Sequence, residues 1–219
     1  GFTKFVIVVP SVAIKEGVYK SLQMTEDHFR GLYAGVPYDY FQYDSSKMGQ
    51  VRNFATSASI QIMVVTVGAI NKKDVNNLYK DSEKTGGEKP IDLVRATRPI
   101  IIVDEPQSVD GGLSGAGKKA LDEMHPLCTL RYSATHADKH HMLYRLDAVD
   151  AYERKLVKQI EVAAATVAPE EAVEARRRGG VDHPLVTPVA VHEGVDDVAL
   201  AAQAVLLVVV LRPVEALPR

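Results

Sequence analysis

No tryptophan and only one cysteine, Cys128, occur among the 219 residues. A disulfide framework is therefore excluded, and a lone thiol fits a reducing, cytoplasmic compartment. Cys128 lies in the apolar run PLCTLRYSAT, where a buried, inert thiol is expected. An excess of positive charge is also missing. With 26 Lys and Arg against 28 Asp and Glu the net charge is −2, so any nucleic-acid site must be a local patch. The longest apolar run, ALAAQAVLLVVVL from Ala199 to Leu211, falls short of the roughly 20 residues a membrane helix needs. Neither a signal peptide nor an initiator methionine opens the chain. It starts GFTKFVIVVPS, almost at once in a strand, and is expected to continue a longer protein that begins upstream.

One absence is regional. Residues 161–219 contain no aromatic residue, Lys, Ile, Met, Asn, Ser or Cys, and all nine Tyr and five Phe precede them. Ala, Val, Pro, Arg, Glu and Gly dominate there. Two readings stay open for this tail: an Ala/Val-rich second subdomain, or a shifted reading frame or artificial junction, since the residues share GC-rich codons. The expected division is 1–160 and 161–219, with no functional guidance from the second part.

Up to about residue 160, strand and helix patterns alternate. KFVIVVP (4–10), YDYFQYD (38–44) and IQIMVVTV (60–67) read as strands. The stretch 11–33 has the apolar spacing of a helix capped by Ser11, and 46–57 reads as a shorter one. A helix is also expected in GAINKKDVNNLY, a solvated loop over 80–89, and a helical turn in IDLVRAT. PIIIVDE, a glycine-rich loop (111–117), a helix near 117–124 and the strand LCTLRYS complete the set. This order argues for a mainly parallel sheet with helices on both faces.

Chemistry concentrates in two motifs. In PIIIVDEPQSVD, four β-branched residues run into Asp104 and Glu105, so the acids close a doubly buried strand at the end where α/β proteins place ligands. One carboxylate could hold Mg²⁺ across the β- and γ-phosphate oxygens of a nucleotide, and the other could take a proton from attacking water. Acid pairs at strand ends are common, and a solvent-facing turn cornered by Pro106 is the plain alternative. About 30 residues on, LRYSATH offers the hydroxyls of Ser133 and Thr135 at another strand end. Alone they would be turn or capping residues. Beside an acid pair, they can pass the state of a nucleotide to a moving partner.

VVPSVAIKEGV, VPYDYFQYDS, QVRNFATS, IQIMVV, IIIVDEPQSVD and PLCTLRYSATH, in this order over residues 2 to about 161, resemble the restriction subunit of type III restriction-modification enzymes. That subunit is a superfamily 2 helicase-like ATPase joined to an endonuclease domain. The resemblance implies an α/β, RecA-like three-layer sandwich forming most of the first motor lobe. It makes DEPQ the Walker B (motif II) segment, with Asp104 serving Mg²⁺ and Glu105 the water, and SAT motif III, with Ser133 and Thr135 coupling hydrolysis to motion. Pro10 and Ser11 would follow a DNA strand as motif Ia, and Thr66 would contact its backbone from the place of motif Ib. ATP and Mg²⁺ are the implied cofactors, and double-stranded DNA and a modification methyltransferase subunit the implied partners. The implied activity is that of an ATP-dependent type III site-specific deoxyribonuclease.

A Walker A loop should lie one helix ahead of FTKFVIVVPS, so the chain is expected to start too late to contain it and to be inactive alone. GLSGAGKK (112–119) imitates one but puts Lys119 where Mg²⁺ requires Ser or Thr, and it reads as a surface loop entering a helix. Neither a second motor lobe nor a nuclease domain is recognisable. His136, His140 and His141 lack a ligand pattern and read as solvated. The competing function is a non-catalytic lobe that binds DNA or a partner and hydrolyses nothing.

Overall fold

A computed structural model of the chain describes residues 2–110, 115–133 and 141–157. Residues up to Met142 form one compact unit, and a second starts at Leu143. The expected boundary near residue 160, and the tail 161–219, lie outside the described residues.

The first unit is built on a five-stranded sheet of order β2-β3-β1-β4-β5. The strands are β1 (Lys4–Val9), β2 (Tyr38–Gln42), β3 (Ile60–Thr66), β4 (Ile100–Asp104) and β5 (Cys128–Tyr132), and every neighbouring pair is parallel. Its helices are α1 (Val12–Leu32), α2 (Met48–Thr56), α3 (Pro90–Thr97), α4 (Pro106–Val109) and α5 (Ala116–Asp122). The expected α/β sandwich is the observed one.

Period-two alternation divides the core in two. Phe5, Ile7 and Val9 of β1 face Val18, Leu22 and Phe29 of α1, together with Ile62, Val64, Ile100 and Ile102. Val6 and Val8 face the other way, among Val51 and Phe54 of α2, Val94 of α3 and Leu121 of α5. Continuous apolar runs thus serve helices on both faces, the three-layer RecA-like arrangement. At the amino end of the sheet, the buried ammonium of Lys4 donates to the carbonyls of Ser57 (2.6 Å) and Ser59 (3.0 Å), tying β1 to the turn that enters β3. Burial lowers this lysine's pKa, and the two carbonyls meet the donors it would otherwise leave unmade.

Two expectations are corrected. GAINKKDVNNLY is not an α-helix but two short 3₁₀ turns, Val67–Ala69 and Asn77–Tyr79. Gly68, Asp74 and three asparagines make a continuous helix costly there, and only Ile70 and Leu78 reach the core. Cys128 is exposed, not buried. It begins an edge strand, and an apolar pattern cannot tell an edge from a centre. Its thiol is still pushed up by partial desolvation, so the site does not activate it.

The described part of the second unit holds α6 (Ala148–Glu153), opened by a capping box in which Asp147 and Asp150 each accept from the other's backbone N–H. Arg145 fastens this turn through two hydrogen bonds to Asp150, 2.9 and 3.0 Å.

Candidate functional site

Because all five strands run parallel, their carboxyl ends share one rim. Register sets the heights: Val9 lies opposite Thr66, Val8 opposite Val103, and Asp104 opposite Tyr132. Pro10, Ser11, Thr66, Asp104, Glu105 and Ser133 therefore all stand on that rim. Thr135 lies outside the described residues, as do His136 and His140.

The centre of the rim is the end of β4. Glu105 leaves the strand with φ +50° and ψ +62°, a left-handed conformation rare for a residue with a side chain. Such a residue costs about 1–3 kcal/mol, and this strain collects at functional positions. The Glu105 N–H donates to Tyr132 O (3.0 Å), extending the β4–β5 ladder by one bond, and Pro106 then starts α4.

Gln107, the last residue of DEPQ and one to which the sequence reading gives no role, joins the two motifs. Its side-chain amide donates through Nε2 to Glu105 Oε2, while its Oε1 accepts from Ser133 Oγ at 3.0 Å. A side-chain amide can donate to a carboxylate through its nitrogen and accept from a hydroxyl through its oxygen at once. The only signal for it is its place, two residues after the acid. A second tie, the ion pair of Arg131 with Asp110, fastens the end of α4 to β5.

Asp104 has a carboxyl raised above the ordinary range by burial first and by the charge of Glu105 second, with the Glu105 N–H acting against both. Among the described residues no cationic side chain offsets it. A half-buried carboxylate without a protein cation suits a hard divalent ion that keeps most of its waters, which is how Mg²⁺ binds. Among the described residues no group of three or more possible ligands occurs, so a fully proteinaceous metal cage is not offered.

Elsewhere on the rim, Ser11 caps α1 by accepting from Ile14 N (3.3 Å), which leaves its own O–H proton exposed for donation. Thr66 ends β3 half-exposed and caps nothing with its side chain. The segment resembling a phosphate loop is put to another use. A Cβ on Gly117 would stand 1.7 Å from Val109 O, so this glycine lets α5 lie against α4. Lys118 and Lys119 point from α5 into solvent.

No family model matches the chain. The chain is 29% identical to the Res subunit of the type III restriction-modification enzyme EcoP15I of Escherichia coli, over 73% of this chain and 18% of that subunit. It is 28% identical to the EcoPI Res subunit of Escherichia phage P1, with the same shares of each chain. The StyLTI Res subunit of Salmonella typhimurium is 24% identical over 78% of this chain and 21% of its own length. The chain is homologous to type III Res subunits. It spans about a fifth of the length of these curated relatives. The rim of this chain carries an acid pair and a hydroxyl bridged by one amide, and its described residues include no helix long and apolar enough to cross a membrane.

Proposed function

We propose that this stretch is the first motor lobe of an ATP-driven DNA translocase serving type III restriction. The observation that carries the reading is the bridge Glu105–Gln107–Ser133 across the ends of two neighbouring parallel strands. A motor needs such a link, since the group that handles the attacking water must feel what the moving element does.

The residues divide the work. Asp104 takes Mg²⁺, and its lack of a protein cation among the described residues supports that role. Bound Mg²⁺ supplies charge compensation to the β- and γ-phosphate oxygens of ATP. Glu105, fixed by its left-handed backbone and by Gln107, orients water and accepts its proton. Ser133, and with it Thr135, transmits the change to the neighbouring strand and onward. Pro10, Ser11 and Thr66 face double-stranded DNA, and a modification methyltransferase subunit works beside the protein, as the Res relationship suggests. The complete activity on this reading is ATP-dependent, site-specific DNA cleavage.

A second reading has its own support: nothing among the described residues cradles phosphates, since Gly117 is committed to helix packing. On that view the lobe binds DNA or a partner and hydrolyses nothing. One experiment separates them. In a Res-length protein carrying this lobe, Glu105→Gln should leave ATP binding intact and lower DNA-stimulated turnover by about 10²–10⁴-fold, the usual loss for a general base. Asp104→Ala should weaken binding of Mg-ATP as well. Full turnover with Gln at 105 would remove Glu105 from the water-handling role, and a Res-length parent that turns over no ATP at all would establish the non-catalytic reading.

A further inference from the structure

The acid rim is not where positive charge gathers. An open cleft of about 400 Å³ lies at the other side of the sheet, lined by Lys47, Gly49, Gln50, Arg52, Asn53 and Lys84. It begins at the carboxyl end of β2, where Lys47 precedes α2, and follows the solvent face of that helix. The sheet order puts β2 three strand positions away from β4, so this cleft is separate from the Asp104–Glu105 site.

The lining is unlike that of a small-molecule pocket, which is mostly apolar with a few placed polar groups. Half of the six residues are cations, and none is an acid or an apolar side chain. Among the described residues the Arg52 guanidinium takes part in no ion pair or side-chain hydrogen bond. It merely passes Gly86, whose would-be Cβ would lie 3.8 Å from Nη1. Lys84 Nζ donates to the Ser46 carbonyl (2.9 Å), which holds the ammonium over the cleft without neutralising it. Lys47 has an acid at its edge, Asp44, 3.9 Å away. The N–H (2.8 Å) and hydroxyl (2.7 Å) of Ser46 bond Asp44 Oδ1, and among the described residues its Oδ2 makes only this long contact with Lys47. The ground beside Gly49 is open, with nothing within 4 Å of where a Cβ would stand. In a chain of net charge −2, three clustered cations with one distant acid call for an outside anion.

Position says which anion. The order β2-β3-β1 sets the mouth of the cleft, Thr66 and Ser11 in a row on one rim. Adjacent strands are about 4.8 Å apart, so the row extends about 10 Å from β1 to β2, and at about 3.4 Å of helix axis per phosphate on each strand that length faces about three phosphates. We propose that the Lys47–Arg52–Lys84 cleft is a DNA phosphate-binding site that extends the rim from Ser11 through Thr66 along the duplex backbone. It rests on the DNA-motor reading and adds to it the contacts that carry charge, because Pro10, Ser11 and Thr66 are neutral. Arg52 supplies a forked donor and the two lysines point charges, a combination suited to holding a backbone without reading its bases.

The test is the salt dependence of binding of a short fluorescein-labelled DNA duplex to the 219-residue chain, followed by anisotropy. Each phosphate contact contributes about 0.9 to the slope of log affinity against log salt. Lys47→Ala, Arg52→Ala and Lys84→Ala combined should lower that slope by about 2 to 3. Arg52→Ala alone, which disturbs no internal bond, should lower it by about 0.9, and Arg52→Lys should restore it. Removing equal charge elsewhere, with Lys20→Ala, Lys118→Ala and Lys119→Ala, should leave the slope in place. The proposal is overturned if this control set flattens the slope as much. It is also overturned if the cleft variants bind like the parent while Ser11→Ala and Thr66→Ala bind more weakly, an outcome that keeps the motor reading. A parent chain that binds no duplex even at low salt removes both.

Discussion

The inner strands β1, β3 and β4 are mostly Val, Ile, Met and Phe, whereas the outer strands β2 (YDYFQ) and β5 (CTLRY) mix polar residues among apolar ones, and their surroundings differ to match. Every residue of β1 is buried, as are the middle five of β3 and the first four of β4. In β2 only Tyr38 is buried, and in β5 no residue is. Composition and place in the sheet thus go together, and the strands with two neighbours are the aliphatic ones. A strand between two others and two helix layers has no exit to water, whereas an edge strand keeps one flank and part of each face wet. This is also why the chemistry sits where it does. The inner strands hold their carboxyl ends rigidly, and the working residues begin one position beyond the buried run.

The largest expected effect sharpens this comparison directly. Ile101, at the centre of β4, is fully buried, and Ile101→Ala should cost about 2–5 kcal/mol in a denaturant unfolding experiment. Leu130, its near counterpart on β5, is only partly buried. Burying a whole leucine is worth about 1.5–3 kcal/mol, so Leu130→Ala should cost about 1 kcal/mol. Equal losses at the two positions would mean that β5 is no margin in solution, and the contrast between centre and edge would collapse.

The inner strands are legible in the sequence because β-branched runs such as IIIV and VIVV have no other ready use in a chain of this polarity. The rim is legible for a related reason: a buried run that stops at two acids must stop at the surface. Three things are not. Apolar spacing predicts a helix over GAINKKDVNNLY, but Ile70 and Leu78 reach the core from separate turns, each set by the glycine and asparagines around it. The bridging role of Gln107 cannot be read from DEPQ alone because it depends on a strand 26 residues away that only the fold brings alongside. The cationic cleft collects Lys84 from a loop 37 positions after Lys47, and no local pattern joins them.

A smaller effect is expected at the boundary between core and rim. Glu105 follows the best-buried stretch of β4 and carries the left-handed backbone. Glycine accepts that conformation without a steric penalty. Glu105→Gly should therefore raise thermal stability by about 1 kcal/mol, the low end of what such strain costs, while removing the carboxylate. A loss of stability instead would show that the bond with Gln107 outweighs the strain relieved.

The smallest effect probes the margin itself. Cys128 opens β5 exposed, paired in register with the buried Ile100, and it is the sole cysteine in the chain. Substitution with serine removes little packed surface, so Cys128→Ser should shift stability by no more than about 0.5 kcal/mol. Accessibility and reactivity should separate at this residue. A disulfide-type thiol reagent should label it once, completely and without denaturant, because the sulfur is reachable. The rate at neutral pH should nevertheless fall below that of free cysteine, since desolvation raises the thiol's pKa and the thiolate is the attacking species. As pH rises the thiolate fraction grows, and with a raised pKa the rate should go on climbing beyond the pH at which free cysteine levels off. Labelling that required unfolding would show that something covers this flank of β5 in solution. The sheet would then have four well-covered strands and one open edge, at β2, beside the cationic cleft.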